Sequence, residues 1–106
     1  MQTMLVEKRT YTLHPGAMGE FLAIYEAEGL PIHTRYLSLI GYFTSDIGPL
    51  NQVVTMWRYE NMQQRDELRA RLYADPAWIA FGPRTTGFIQ RMESVILRPT
   101  HFSPLR

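Results

Sequence analysis

The sequence contains no cysteine, which excludes a disulfide scaffold, a thiolate nucleophile and any zinc site built on cysteine. It also lacks an excess of charge. The 11 basic and 10 acidic residues leave a formal net charge of +1, without a basic run that could follow phosphates, so we expect no nucleic-acid partner. The first residues, up to Leu13, include Glu7, Lys8 and Arg9, which argues against a signal peptide or a membrane span of about 20 apolar residues. We expect a soluble, cytoplasmic protein with no membrane partner.

Motifs for cofactors, metals and common nucleophiles are missing as well. There is no Gly-rich phosphate loop and no G-x-S-x-G segment. His14, His33 and His101 have no His, Asp or Glu close by at a metal spacing. We therefore expect no metal and no cofactor, with haem on His33 as the least implausible exception. Catalytic residues stay unknown at this stage.

The length and composition are those of one globular domain. The chain has 106 residues, of which 45% are hydrophobic and 20% charged, in the range of folded domains. We expect a single domain over residues 1–106, with a core at about 4–98 and a tail at 99–106. A chain of this size buries a limited share of its surface, so self-association would add useful apolar burial.

The hydrophobic periodicity predicts the element order βαββαβ. Alternating or β-branched segments predict strands at residues 4–13, 38–47, 52–59 and 88–98. Helical spacing predicts a first helix that ends or bends near residues 29–31 and a second at 61–73, capped by Asn61. A further apolar turn at 77–81 is expected to stop at Gly82 and Pro83. This order indicates an α+β ferredoxin-like fold, an antiparallel four-stranded sheet with two helices on one face.

Both faces of the predicted sheet are largely apolar. The third strand alternates between two sets of side chains, namely Val53, Thr55, Trp57 and Tyr59 against Val54, Met56 and Arg58. In the last strand, the pattern assigns Ile89, Val95 and Leu97 to one face and Phe88, Met92 and Ile96 to the other. A sheet that is apolar on both sides is best covered by a second sheet, so we expect a homodimer.

Several short motifs along the chain resemble the NIPSNAP family. They are Glu7-x-Arg9-x-Tyr11-x-Leu13 with Pro15-Gly16, the segment from Gly41 to Val54, Trp57-x-Tyr59, Arg65 with Arg69, and Asp75-Pro76-x-Trp78. The resemblance covers residues 6–98 and implies a dimeric α/β barrel without supplying a reaction. Proteins of that architecture include cofactor-free monooxygenases and haem-binding proteins, an analogy of fold alone. Many relatives have a histidine where this chain has Thr55, so a base or metal role there is not available.

Side chains that could bind a ligand share a predicted cleft between sheet and helices. The row Glu7, Arg9 and Tyr11 could present an acceptor, a cation and a hydroxyl, in that order, or could simply pair internally. Arg65 and Arg69 lie one helical turn apart and could receive an anion, or could form local salt bridges. The candidate cleft consists of Glu7, Arg9, Tyr11, Thr55, Trp57, Tyr59, Arg69 and Trp78, with Tyr25 and Phe81 as further aromatic neighbours.

Two functions therefore compete. The first is binding of a small organic molecule in the cleft, with cofactor-independent monooxygenase-like chemistry as one extension. The second is a dimeric interaction module without catalysis, in which the same residues are core and interface.

Overall fold

The computed structural model describes residues 4–106, so the first three residues of the predicted domain lie outside it. The elements follow the order β1 Leu5–Leu13, α1 Met18–Ile24, a π-helical turn Tyr25–Gly29, α2 Leu30–Tyr36, β2 Ser38–Thr44, β3 Gln52–Tyr59, α3 Met62–Ala74, α4 Pro76–Thr85, a 3₁₀ turn Thr86–Phe88 and β4 Ile89–Leu97. The strands form one antiparallel sheet in the order β2-β3-β1-β4. The predicted ferredoxin-like α+β fold is confirmed.

The alternation of β1 decides which side chains meet the helices. Glu7 lies opposite Trp57 of β3, and Arg9 lies opposite Thr55 on one side and Ser94 of β4 on the other. Glu7, Thr55 and Trp57 are buried, as expected for side chains between the sheet and the helices. The row predicted from the sequence is therefore on the covered face.

The helical arm between β1 and β2 runs from Met18 to Tyr36. Of the two predicted outcomes near residues 29–31, an end or a bend, the end is wrong, and regular α-helical geometry is interrupted by the π-helical turn that precedes Leu30. The chain widens into the π-helical turn, and Pro31 falls in the first turn of α2, where its missing N–H costs little. Gly29 serves packing, because a Cβ added there would lie 2.5 Å from the Phe81 ring.

The helix α3 begins as its sequence predicts. The side chain of Asn61 accepts a hydrogen bond from the Gln64 N–H at 2.8 Å, which satisfies one of the free donors of the first turn. Asp75 then ends α3 and caps α4, accepting from the Ala77 N–H at 2.8 Å.

The predicted stop at Gly82 and Pro83 is wrong, since α4 continues to Thr85 with Pro83 inside it. Pro83 removes one hydrogen bond close to the helix end. The next turn is nevertheless closed, because the N–H of Thr86 donates to the carbonyl of Gly82.

Two strand predictions also need correction. β2 ends at Thr44 rather than residue 47, because the chain turns back through residues with positive φ, Gly48 and Asn51. In β4, a register shift opposite the end of β1 places Ile89 across from Leu13. Ile89 therefore lies on the same face as Met92 rather than alternating with it.

The face of the sheet away from the helices carries apolar side chains. Lys8, Met56 and Val95 lie in register across its three adjoining strands. Val95 is 48% exposed and Phe43, on β2, is 53% exposed. Among residues 4–106, no helix is long and apolar enough to cross a membrane.

Candidate functional site

A cavity of about 230 Å³ lies between the covered face of the sheet and the helices. It is open on one side and has room for about seven or eight water molecules, at roughly 30 Å³ each. This is smaller than the usual pocket for a drug-sized molecule, so any ligand is small. The cavity is lined by Arg9, Tyr11, Phe21, Tyr25, His33, Tyr42, Thr55, Arg69, Tyr73, Trp78, Phe81, Gly82, Thr85, Thr86, Ile89 and Met92.

One part of the lining is aromatic. Tyr25 stacks on Tyr42 with ring centroids 4.6 Å apart, and Phe21 stacks on Tyr25 at 6.5 Å. Trp78 packs against Phe81 at 5.2 Å. Because these rings offer flat apolar surfaces, this end of the cavity favours a planar organic group.

Beneath the cavity, the carboxylate of Glu7 is completely buried and surrounded by cations. Arg65 binds both of its oxygens, at 3.0 and 3.1 Å, and Arg9 donates to Oε2 at 2.9 Å. The Ser94 hydroxyl donates to Oε2 at 2.6 Å. The guanidinium of Arg69 approaches Oε1 to 3.7 Å. Three guanidinium groups therefore face one buried carboxylate.

These neighbours hold Glu7 in its charged form. Burial by itself raises the pKa of Glu7, but the hydrogen bonds from Arg65, Ser94 and Arg9 and the charge of Arg69 outweigh it. The pKa falls from 4.5 to about 2. Glu7 is thus a fixed anion and cannot serve as a general base near neutral pH.

Of the three arginines that face Glu7, Arg69 lies farthest from the carboxylate. Its side chain is 9% exposed, Nη2 donates to the Tyr73 hydroxyl, and Nη1 lies 3.7 Å from Oε1 of Glu7 without a hydrogen-bond partner among residues 4–106. An unpaired buried N–H group is costly unless something accepts from it. Arg9, which also lines the cavity, gives only one N–H to Glu7 and another, Nε, to Tyr11 at 2.9 Å.

His33 reaches the same cavity from α2. Its Nδ1 lies 2.8 Å from the Tyr25 hydroxyl, and its ring packs on Trp57 and Trp78 at 4.0 and 4.5 Å. Burial, aided by the charges of Arg69 and Arg9, lowers the pKa of His33 to about 3. The imidazole is therefore neutral over the physiological range.

The eight residues predicted for the cleft divide into two groups. Arg9, Tyr11, Thr55, Arg69 and Trp78 line the cavity. The other three lie beneath the lining: Glu7 holds the arginines, Trp57 donates to the Thr55 hydroxyl at 2.9 Å, and Tyr59 lies 3.4 Å from Glu7. Glu7 therefore pairs with Arg9, as one interpretation of the sequence predicted. Arg69 also lines the cavity, as the other interpretation predicted.

Sequence reasoning missed His33, Tyr42 and Tyr73 as members of this cleft. Tyr73 had a usable signal, because it follows Arg69 by one helical turn. His33 gave a weaker signal, because eight residues of a regular helix rise about 12 Å along the axis, well beyond the i+3 and i+4 pairs that spacing normally predicts. Within residues 4–106, no group of three or more metal-binding side chains lies together.

The geometry defines the protein class as a ferredoxin-like α+β domain with an arginine-containing, aromatic cavity between sheet and helices. The NIPSNAP family profile matches residues 6–104, and the chain belongs to the NIPSNAP family.

Solved structures of relatives agree over almost the whole chain. A NIPSNAP family protein of unknown function from Agrobacterium tumefaciens is 42% identical, with a TM-score of 0.96, and the match covers 99% of this chain and 96% of that one. An uncharacterised NIPSNAP domain protein from Burkholderia xenovorans is 48% identical, with a TM-score of 0.93 over 94% and 98% of the two chains. These relatives carry no assigned activity in their names.

Curated relatives are longer proteins. The Dictyostelium discoideum NipSnap homologue is 32% identical over 93 residues, which are 88% of this chain and 41% of that protein. The chain thus spans less than half the length of such relatives. A candidate antibiotic biosynthesis monooxygenase from Nitrosomonas europaea is only 10% identical, with a TM-score of 0.70 over 100% and 97% of the two chains, and this likeness shows the fold alone.

Proposed function

We propose that this chain binds a small planar organic anion in the cavity between its sheet and helices. The observation that carries the proposal is that two guanidinium groups, those of Arg9 and Arg69, line the same cavity, while Nη1 of Arg69 lies 3.7 Å from Oε1 of Glu7 and has no hydrogen-bond partner within residues 4–106. A carboxylate or phenolate oxygen in the cavity would accept from these arginines, and guanidinium groups bind such oxygens well. The aromatic end of the cavity would hold the planar part.

Charge balance supports an anion over a neutral ligand. Arg9, Arg65 and Arg69 surround Glu7, and a second carboxylate, that of Asp66, lies 3.2 Å from Arg65 on the solvent side. One positive charge is therefore left over near the cavity. An anionic ligand would neutralise it.

The test is a titration with 2-naphthoate and its uncharged amide, followed by tryptophan fluorescence, since Trp78 lines the cavity. We expect the acid to bind and the amide to bind at least tenfold more weakly. Arg69→Met should weaken naphthoate binding about 10- to 100-fold, the value of a charge-assisted hydrogen bond. Arg71→Met on the exposed side of the same helix is the matched control and should bind normally. Equal binding of acid and amide would contradict the proposal.

Cofactor-independent oxygenation is an extension that the same lining supports. A cavity that stabilises the deprotonated form of an acidic ligand makes that ligand electron-rich and easier for O₂ to oxidise. One oxygen atom would enter a CH₂ group of the ligand as a carbonyl, and the other would leave as water with the two hydrogens. Oxygen uptake in the presence of anthrone measures it, and a rate unaffected by Arg69→Met would exclude this cavity as the site.

Homodimerisation through the open face of the sheet is also proposed, because that face exposes Phe43, Val95 and Leu97. A second copy can cover it with the same face, as in two-fold dimers. Val95→Asp should give a monomer or an unfolded chain by light scattering, since an unpaired buried charge costs about 3 to 5 kcal/mol. Ile79→Asp, exposed on α4, should leave the dimer intact. A wild-type protein that is monomeric at micromolar concentration would refute the proposed homodimer.

The alternative function, an interaction module without catalysis, would use the same open face of the sheet. It predicts that no small molecule raises the melting temperature, because a ligand bound only to the native state must raise it. The cytoplasmic location expected from the sequence stays a prediction.

A further inference from the structure

Hydroxyl groups around the cavity are already engaged as acceptors. The Tyr11 oxygen accepts from Nε of Arg9 at 2.9 Å, and the Thr55 oxygen accepts from the indole N–H of Trp57 at 2.9 Å. Neither guanidinium nor indole N–H groups can accept a hydrogen bond in return. Each hydroxyl therefore has its own proton left to donate.

Arg69 makes the same kind of hydrogen bond to a hydroxyl of the cavity lining. Nη2 of Arg69 donates to the hydroxyl of Tyr73, which also lines the cavity. That hydroxyl is again an acceptor inside the protein, with a proton free for a ligand. Together with the N–H groups of Arg9 and Arg69, these three hydroxyls can donate to a ligand that carries acceptors.

His33 can add an uncharged hydrogen-bond donor to the cavity. The imidazole is uncharged, because burial lowers its pKa to about 3, with Arg69 and Arg9 adding to the effect and Glu7 opposing it. Burial also raises the pKa of the Tyr25 hydroxyl, so this group keeps its proton. Nδ1 of His33 lies 2.8 Å from that hydroxyl and is its hydrogen-bond partner. If the hydroxyl donates to Nδ1, the imidazole proton resides on Nε2.

We infer that the ligand is a small conjugated acid with a second acceptor oxygen, such as a keto oxygen, and that His33 recognises this oxygen through Nε2–H. This inference rests on the proposed anion site at Arg9 and Arg69 and adds the chemistry of the ligand's other end. Tyr25 is a positioning residue, since it fixes the tautomer and does not itself contact the second oxygen.

The tautomer can be checked without any ligand. Two-bond ¹H–¹⁵N correlation spectra of the wild-type protein at pH 7 should show His33 as a neutral ring protonated at Nε2. Tyr25→Phe should change the tautomer balance. A wild-type His33 protonated at Nδ1 would overturn the inference even if every variant failed to fold.

The ligand is checked with two probes of nearly the same shape, 4-acetylbenzoate and 4-isopropylbenzoate. Wild type should bind the acetyl compound about tenfold more tightly, because only its carbonyl can accept from Nε2–H. His33→Met should abolish this preference. His33→Gln, whose side-chain amide can place an N–H near the position of Nε2, should retain part of it.

The outcomes separate the two proposals. Equal binding of both probes, together with a loss on Arg69→Met, would keep the anion site and overturn the role of His33. Binding that is insensitive to Arg69→Met would remove the anion site and with it the inference. Failure of both probes to bind at millimolar concentration would also remove both.

Discussion

Replacing Glu7 by glutamine tests the buried charge cluster that holds the arginines beneath the cavity. The pKa of Glu7 is 4.5 in the absence of its neighbours and about 2 in the fold. Since each pH unit corresponds to about 1.4 kcal/mol, the charged carboxylate contributes about 3 kcal/mol to the free energy of unfolding at neutral pH. Glu7→Gln should lose that amount or somewhat more, about 3 to 5 kcal/mol, because the arginines also lose their counter-charge.

The pH dependence gives this prediction a second readout. A carboxyl group whose pKa is lower in the fold stabilises the protein above its unfolded pKa and loses that contribution as the pH falls from about 4.5 toward 2. The stability difference between wild type and Glu7→Gln should therefore be largest at pH 7. It should shrink steadily below pH 4.5.

Urea unfolding at pH 7, 4.5 and 3, followed by tryptophan fluorescence at one fixed protein concentration, measures both effects. Glu67→Gln is the matched control, since this glutamate is exposed on α3, away from the open sheet face, and accepts a hydrogen bond from Gln63 at 3.1 Å. It should cost less than about 0.5 kcal/mol. A loss below about 1 kcal/mol for Glu7→Gln, or a loss that does not change with pH, would refute the reasoning.

Two further predictions concern packing around the same region. Arg65→Met should destabilise the protein more than Arg9→Met, by about 1 to 2 kcal/mol in urea unfolding, because Arg65 binds both carboxylate oxygens and Arg9 only one; the reverse order would contradict the assigned contacts. Gly29→Ala should lose about 1 to 2 kcal/mol, since its Cβ would meet the Phe81 ring, whereas Gly19→Ala on the same helical arm meets nothing within 4 Å and should gain up to about 1 kcal/mol. Equal thermal shifts for the two glycine variants would count against the packing argument.

The sequence was sufficient for the fold because strand alternation and helical spacing are local signals. β3 was predicted at its observed bounds, and Asn61 was predicted as the cap it proves to be. The helix boundaries predicted from proline and glycine were less accurate. Pro31 was predicted to mark a helix end or bend and Pro83 a helix end, yet one lies in the first turn of α2 and the other near the last turn of α4, where the loss of an N–H is tolerated.

The site was only partly predictable, because burial and partners come from residues far apart in the chain. Arg9 and Arg69 were among the candidates, but their common dependence on Glu7 joins residues separated by about 60 positions. That Nη1 of Arg69 has an ionic neighbour in Glu7 at 3.7 Å but no hydrogen-bond partner in the described chain could not be predicted from composition or spacing. It emerges only once the neighbours of that atom are known.

The π-helical turn Tyr25–Gly29 gives this helical arm one residue more than a regular helix would need. Because the wider turn absorbs this residue within one rotation, a single deletion there would restore an ordinary α-helix and leave the direction of the following side chains nearly unchanged. Relaxing all five residues to regular helix, at about 100° per residue, would instead rotate everything after the turn and move His33 from its place beside Tyr25. The wide turn is therefore what lets the arm hold one more residue while His33 keeps its position at the cavity.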